Sequence, residues 1–399
     1  MDEAASNMRV AIYSPYLEVC GGGEKYIGHI AEVLSRKNKV EFIVFEKPSL
    51  DKLKKRLNVD LSRVEFNTLN KFNPPAWMSR SNFSNYVNAY RISRATKKYD
   101  LFINQEHFTV IRSFAKTSIL MCEVPPTATN TKKNLSPVGR SVRAQLFNKI
   151  LLSAFFDPKL KSYHKILANS FFTKKWAQQW YNKNVEVLYP PIDTESILPL
   201  NKRYIILNVG RFSVGAHCKN QLETIRVFKE MFEKNRTLLE DWEYHLVGEV
   251  TSDVGNVDYL HACIKEALGY PIKFHVNASF QTLKELFGVS RILIHATGMN
   301  EDQSKYPDLM EHFGIAVVEA MSAGCVPTVI KKGGLPEIIS DGVDGYQWSS
   351  ENELKQKILM LIKDEELWRR MSRKSIEKSQ EFSFEKFQKR LKHFLGGTL

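Results

Sequence analysis

The sequence predicts an α/β protein of two doubly wound domains, on three observations. Short apolar runs of strand character alternate with stretches of helical apolar spacing along nearly the whole chain, the pattern of parallel sheets flanked by helices. The chain has 399 residues, more than one hydrophobic core usually serves, and its 43% hydrophobic content is ample for two. Near the middle, Leu188-Tyr189-Pro190-Pro191-Ile192-Asp193 through Leu200 breaks the alternation with two prolines and a polar stretch. Residues 1–195 and 196–379 are therefore expected as the two domains, with a helix over 380–399 packing back on the first. Ligands of such sheets sit beyond the carboxyl ends of the strands, so two domains facing each other would enclose a central cleft.

In the first half, strands are read at Arg9–Ser14, Val40–Phe45, Val64–Thr68, Leu101–Asn104, Ser118–Cys122 and Ile166–Asn169. In the second they fall at Ile205–Val209, Tyr244–Val247, Ile272–Val276, Ile292–Ala296 and Val326–Ile330. Helical spacing covers Glu24–Arg36, Asn220–Glu233, Tyr259–Leu268, Gln281–Phe287 and Glu353–Ile362. Directly after the first strand comes Gly21-Gly22-Gly23-Glu24. Three glycines before a helix N-terminus permit close backbone approach to a phosphate or sugar, and equally a tight turn. The spacing is neither Gly-x-Gly-x-x-Gly nor a Walker loop.

Composition narrows the function classes. No apolar run reaches membrane-spanning length; Ile150 to Phe156 stops at Asp157-Pro158. The start, Met1 to Asn7, lacks the basic then apolar pattern of a signal peptide, so a cytosolic chain is expected. Five scattered cysteines, none in a Cys-x-x-Cys pair, argue against a disulfide framework or a zinc site. Residues 1–200 hold 30 Lys and Arg against 17 Asp and Glu, whereas residues 201–399 hold 27 of each. The whole excess of +13 therefore sits in the first half and points to an anionic partner there: lipid head groups, a lipid-linked pyrophosphate or a nucleic acid. Arg140 to Ile150 alternates basic and apolar positions as an interfacial helix or a plain surface helix does. No interleaved basic and aromatic element argues for nucleic acid, which is not expected as a partner.

The stretch Glu311-His312-Phe313-Gly314-Ile315 through Glu319 carries the most chemical information. Gly314 lets the backbone approach a ligand closely, and the apolar helix it opens directs unpaired N–H groups at whatever precedes it, a setting suited to phosphate. Carboxylates at Glu311 and Glu319 would repel an anion, so they are expected to accept hydrogen bonds from neutral hydroxyls, as on a sugar and a ribose. That combination is the chemistry of a nucleotide-sugar.

This run, with Ala320-Met321-Ser322-Ala323-Gly324-Cys325-Val326-Pro327 and Gly333-Gly334-Leu335-Pro336-Glu337 behind it, resembles the retaining glycosyltransferases of family 4. The resemblance implies the GT-B fold: two doubly wound Rossmann-like domains facing a central cleft, the second binding the donor. It assigns Arg211 and Lys219, in the loop after Ile205–Val209, to the donor pyrophosphate, a role in which fixed cations neutralise leaving-group charge. Glu311 with the backbone around Phe313, Gly314 and Ile315 would hold the donor sugar, Glu319 the ribose, and the loop with Gly22 and Gly23 would close over the donor. No Asp-x-Asp triplet occurs to hold a metal against a diphosphate, so neither metal nor other cofactor is expected. Family members often carry a histidine after the strand corresponding to Ser118–Cys122, where this chain has Glu123. Glu123 or His107 would then substitute at the anomeric centre, and His295 at another strand end is a further candidate for a sugar or acceptor contact. Glu311 to Ile315 together with Gly21 to Glu24 looks most like the mannosyltransferases that extend lipid-linked oligosaccharides. GDP-mannose and a lipid-linked glycan at the cytosolic membrane face are the implied donor and acceptor; a UDP-sugar enzyme, an epimerase, a phosphorylase and a noncatalytic relative are the alternatives. Acceptor choice in this fold is set within residues 60–165, where Phe72 to Met78 is read as an acceptor lip or a packed loop.

Overall fold

The computed structural model describes residues 8–19, 21–50, 53, 59–73, 83–106, 108–127, 160–215 and 218–396. Cys20, His107, most of Phe72 to Met78, and the stretches Arg140 to Ile150 and Ile150 to Phe156 lie outside them. The chain forms two compact units, Met1–Leu188 with Gln388–Leu399, and Tyr189–Phe387.

The first unit runs β1 (Arg9–Tyr13), α1 (Gly22–Ser35), β2 (Lys39–Val44), β3 (Val64–Thr68), α2 (Phe83–Thr96), β4 (Leu101–Asn104), β5 (Thr117–Cys122), β6 (Lys165–Ala168), α3 (Phe171–Tyr181) and β7 (Glu186–Val187). Its strands lie in the order β3-β2-β1-β4-β5-β6-β7 and every pair is parallel. Val10, Ala11 and Ile12 of β1 are fully buried, as continuous apolar strands covered on both faces must be. Helix α1 turns Tyr26, Ile27, Ile30, Ala31 and Leu34 inward at three- and four-residue spacing.

The second unit runs β8 (Ile205–Val209), α4 (Gln221–Lys234), α5 (Arg236–Leu239), β9 (Glu243–Gly248), α6 (Val254–Ala267), β10 (Ile272–Val276), α7 (Phe280–Val289), β11 (Ile292–His295), α8 (Ile315–Ser322), β12 (Val326–Ile330), α9 (Leu335–Ile338), β13 (Tyr346–Trp348), α10 (Glu351–Lys363) and α11 (Glu365–Ser379); α12 (Phe384–Phe394) ends the chain. The strand order is β10-β9-β8-β11-β12-β13, again all parallel. In both sheets the order reverses beside the first strand, between β1 and β4 and between β8 and β11. Loops leaving these neighbouring strands diverge and open a crevice at their carboxyl ends, the usual ligand position of doubly wound sheets.

The units divide at Leu188, ahead of the sequence-based boundary at 195, because the chain beyond it already bonds within the second unit. Tyr189 packs on Phe313 and Phe382 and donates from its hydroxyl to Glu337 at 2.9 Å. The Ile192 N–H reaches the Phe382 carbonyl at 2.9 Å. At the other end only Gln388–Leu399, rather than all of 380–399, groups with the first unit, where Lys165 Nζ donates to the Phe394 carbonyl at 2.6 Å. Cys122, Cys218, Cys263 and Cys325 are free thiols.

One close approach locks the second sheet at its crevice. A Cβ on Gly248, at the end of β9, would collide with the Gly210 carbonyl at the end of β8. Gly248→Ala is therefore expected to lower the stability of this unit by about 1–3 kcal/mol, the usual cost of overpacking; its denaturant midpoint is the measurement, and an unchanged midpoint would show the backbone there to be compliant.

Candidate active site

At the reversal point of the second sheet three side chains from separate segments meet. Lys219, in the loop between β8 and α4, places Nζ 2.5 Å from Glu311 Oε2. His295, the last residue of β11, places Nε2 2.9 Å from the same oxygen. Glycines at three flanking positions make this possible. A side chain on Gly210 would overlap the methylenes of Lys219, and side chains on Gly333 and Gly334 would overlap the carbonyls of Glu311 and His312. The Gly334 N–H instead donates to the Glu311 carbonyl at 2.8 Å, which fixes the backbone carrying the carboxylate. Gly314 then takes the left-handed conformation, with φ of 109°, and opens α8.

Burial alone would raise the Glu311 carboxyl, but the Lys219 charge and the His295 hydrogen bond outweigh it and hold the group well below the usual carboxylate range. Burial pushes the His295 imidazole down, against the opposing pull of Glu311. The neutral ring therefore donates from Nε2 to the carboxylate and leaves Nδ1 as an acceptor, buried and without a hydrogen-bond partner among the described residues. The result is an ionised carboxylate whose charge is balanced by one lysine and oriented by one neutral imidazole.

Around this set the other sequence-predicted residues take distinct places. Arg211, just beyond β8, is exposed and its side chain makes no ion pair among the described residues. Glu319 is buried on α8 at 5% exposure, as is Phe313 ahead of it at 3%. Ile315 is the first residue of α8, so its N–H is among those a helix start leaves without an intrahelical partner. Lys219 and Glu311 are brought together; they are not two independent ligand-facing charges as the sequence alone implies. Two supporting residues lay outside that reading. Asn220 adopts the left-handed region and donates to the Ala296 carbonyl at 2.6 Å, tying the β8–α4 loop to the end of β11. Lys332 Nζ holds the carbonyls of Gly298, Met299 and Glu301 at 2.8–3.0 Å. Asn220 was read only as the first residue of a helical stretch, and Lys332, whose partners are all backbone, left no signal.

In the first unit the glycine run, read as standing before a helix that begins at Glu24, is in part the start of that helix. Gly21 is the N-cap of α1, its N–H bonded to Glu24 Oε2 at 2.8 Å, and Gly22 and Gly23 form the first helical turn. Gly23 lies against the Glu123 carboxyl: a Cβ there would sit 2.5 Å from Glu123 Oε2, so a larger residue would displace that side chain. Burial raises the Glu123 carboxyl to about 8, against the Gln105 Nε2 hydrogen bond at 2.9 Å. Glu106, beyond β4, is likewise raised by burial to about 7. His107 lies outside the described residues. Among the described residues no three His, Cys, Asp or Glu side chains cluster as metal ligands, and no helix is long and apolar enough to cross a membrane.

Two parallel doubly wound units, with a cation, carboxylate and imidazole at the reversal point of the second, define a protein of the GT-B class. Solved structures of that class share the fold over nearly the whole chain: HepE of Anabaena, in complex with UDP and glucose, covers 98% of this chain and 99% of its own at a TM-score of 0.68 and 15% identity. Sucrose-phosphate synthase of Thermosynechococcus elongatus covers 98% of each chain at a TM-score of 0.68 and 13% identity. Residues 192–378 match the family of glycosyl transferases group 1. The chain also resembles the GDP-Man:Man(3)GlcNAc(2)-PP-Dol alpha-1,2-mannosyltransferases, at 24% identity over 261 residues of the Dictyostelium discoideum protein and 28% over 224 residues of the Mus musculus protein. Those alignments take in 63% and 50% of this chain and 49% and 42% of the relatives, so the chain spans about half the length of the curated relatives it matches.

Removing the lysine tests the electrostatics. A carboxyl whose folded value is depressed contributes stability that is present above its unfolded value and lost as pH falls through the folded one. Lys219→Met leaves a mostly buried carboxylate unbalanced and is expected to cost about 2–3 kcal/mol at pH 7, below the full cost of breaking a buried pair because about a fifth of each side chain remains exposed. The deficit should shrink as pH is lowered toward 5, where the unpaired Glu311 takes up a proton while the paired one does not. Denaturant titrations at the two pH values give the comparison; a deficit independent of pH would mean the pair is not the source.

Proposed function

We propose that this protein is a retaining hexosyltransferase that moves mannose from GDP-mannose to a hydroxyl of a glycan or lipid-linked glycan. The observation that carries the reading is the ionised Glu311, balanced by Lys219 and His295 beside the N-terminus of α8. A carboxylate kept ionised and partly withdrawn from water is a strong acceptor for the hydroxyls of a neutral sugar. The adjoining helix N-terminus, with Arg211, suits the diphosphate. The group 1 family match of residues 192–378 and the resemblance to GDP-mannose-dependent enzymes support the donor class.

In this reading Arg211 is the cation available to the diphosphate, since the charge of Lys219 is already matched by Glu311. Glu319 on α8 holds the ribose, while Glu311 and the backbone at Phe313 to Ile315 hold the sugar. The bond between the anomeric carbon and the diphosphate oxygen breaks as the acceptor oxygen attacks from the same face. The proton of the acceptor hydroxyl passes to the departing diphosphate, which balances the reaction without a protein nucleophile or a metal. The basic first half, including Arg140 to Ile150, accounts for an anionic lipid surface at the acceptor side.

Glu311→Ala is expected to lower turnover of GDP-mannose by about a hundredfold or more, with GDP still raising the melting temperature. Near-normal turnover removes Glu311 from the reaction. Activity should survive chelator; loss restored by magnesium or manganese would replace the fixed cations with a metal. In a donor panel GDP-mannose is expected to stabilise the protein more than UDP-glucose, and the reverse order would reassign the base.

A further inference from the structure

Three consecutive residues of the turn between β12 and α9 each hold the loop that carries Glu311. Lys332 Nζ donates to the carbonyls of Gly298, Met299 and Glu301 at 3.0, 2.8 and 2.8 Å. The Gly333 N–H donates to Gln303 Oε1 at 3.1 Å, and the Gly334 N–H to the Glu311 carbonyl at 2.8 Å. The turn therefore grips the loop of residues 295–311 near its start, at its middle and at its end. The same loop is closed across its ends by His295 Nε2 on Glu311 Oε2, and by Gly298 against Met310, where a Cβ would meet the sulfur.

The chemistry of lysine suits this place. An ammonium has three N–H donors and the loop presents three carbonyls, so each donor finds an acceptor. A charged donor makes such bonds roughly twice as strong as a neutral one. The charges of Glu301 and Asp302 oppose the burial that pulls this ammonium down from the ordinary lysine range. Residues 296–310 contain the single turn Pro307–Leu309 and otherwise neither helix nor strand, and no rung of the second sheet's ladder involves them. A connection of this length without structure of its own takes its position from what ties it down, and such loops tend to serve function. What these ties position is the far end of the loop, Glu311.

We propose that Lys332 is a positioning residue for the transfer: its ammonium seats the 295–311 loop and so fixes the Glu311 carboxylate relative to the donor sugar. The proposal rests on the transfer reading above and deepens it with a residue that acts on Glu311 through the backbone alone.

The test uses the full chain and removes the lysine in a form that can be put back. In Lys332→Ala, kcat with GDP-mannose should fall about a hundredfold, the cost of a reacting group misplaced by about 1 Å, while donor KM changes little. Added n-propylammonium, the missing end of the side chain, should recover much of the loss, and uncharged 1-propanol should not. Hydrogen exchange of residues 297–306, followed by mass spectrometry, is a readout free of turnover: it should quicken in Lys332→Ala and slow again with n-propylammonium. Gln303→Ala, at an exposed position in the middle of the loop, keeps the ammonium and should lower kcat less, with no response to the amine. An unchanged kcat in Lys332→Ala, or a loss confined to KM, overturns the proposal and leaves the transfer reading standing. Equal recovery with both additives, or none with either, makes the role one of packing and overturns it as well. If Lys332→Ala loses its melting transition, Gln303→Ala decides: wild-type kcat and exchange overturn the proposal, and lower kcat with faster exchange supports it. Exchange that follows the ammonium in a chain that turns over no nucleotide-sugar leaves the seating of Glu311 standing and overturns the transfer reading.

Discussion

The contact on which the second unit's site depends is the ion pair between Lys219 and Glu311, steadied by His295. Withdrawing a carboxylate from water is unfavourable unless a matching charge and enough hydrogen bonds replace the solvent. Here the lysine comes from the loop between β8 and α4 and the histidine from the end of β11, so the contact joins the segments on the two sides of the reversal point. The glycines follow from the same requirement. Gly210 clears the lysine stem, Gly333 and Gly334 let α9's approach graze the Glu311 backbone, and Gly314 turns the chain into α8. One electrostatic constraint thus explains four backbone positions that share no other property.

Balancing the pair changes what each charge can do for a ligand. Lys219 and Glu311 form a near-neutral unit, so attraction for an anion falls to Arg211 and to the free N–H groups at the start of α8. The bare Nδ1 of His295 is the remaining oddity, an acceptor sealed from water. A neutral imidazole in that state fixes its tautomer through the Glu311 bond and resists protonation, which keeps the carboxylate's partner constant across the neutral pH range.

Much of this was legible in the sequence, because strands buried on both faces must be continuously apolar. Eleven such runs stand within a residue or so of observed strands. Strands β7 and β13 are two and three residues long, too short for any period to register. Helices α2 and α11 escaped for a different reason. The inward face of α11 is filled by Ser372, Ser375 and Ser379 beside Trp368 and Met371, since α8 and the Gly324 carbonyl press too closely for larger side chains. Hydrophobic spacing cannot report a helix that buries serines. At the site, Glu311, Lys219 and His295 stood out singly by position, but their convergence joins residues up to 92 apart in sequence and left no local trace. Gly22 and Gly23 were read as preceding a helix that begins at Glu24, and the carboxyl of Glu123 against Gly23 is a tertiary contact with no local trace.

Placed side by side, the carboxyls of the two units show how one residue type serves opposite ends. Glu311 has a lysine and is held ionised; Glu106 and Glu123 have tyrosines, an amide and a hydroxyl about them and are raised by burial to about 7 and about 8. The difference is a matter of whether a cation was built in. Where charge must be managed at a leaving diphosphate, an ionised, balanced carboxylate adds no net repulsion. Where only hydroxyls are to be told apart, a carboxyl that keeps its proton both gives and receives a hydrogen bond, and discrimination among hydroxylated ligands is strongest when an incorrect one leaves such a group unpaired.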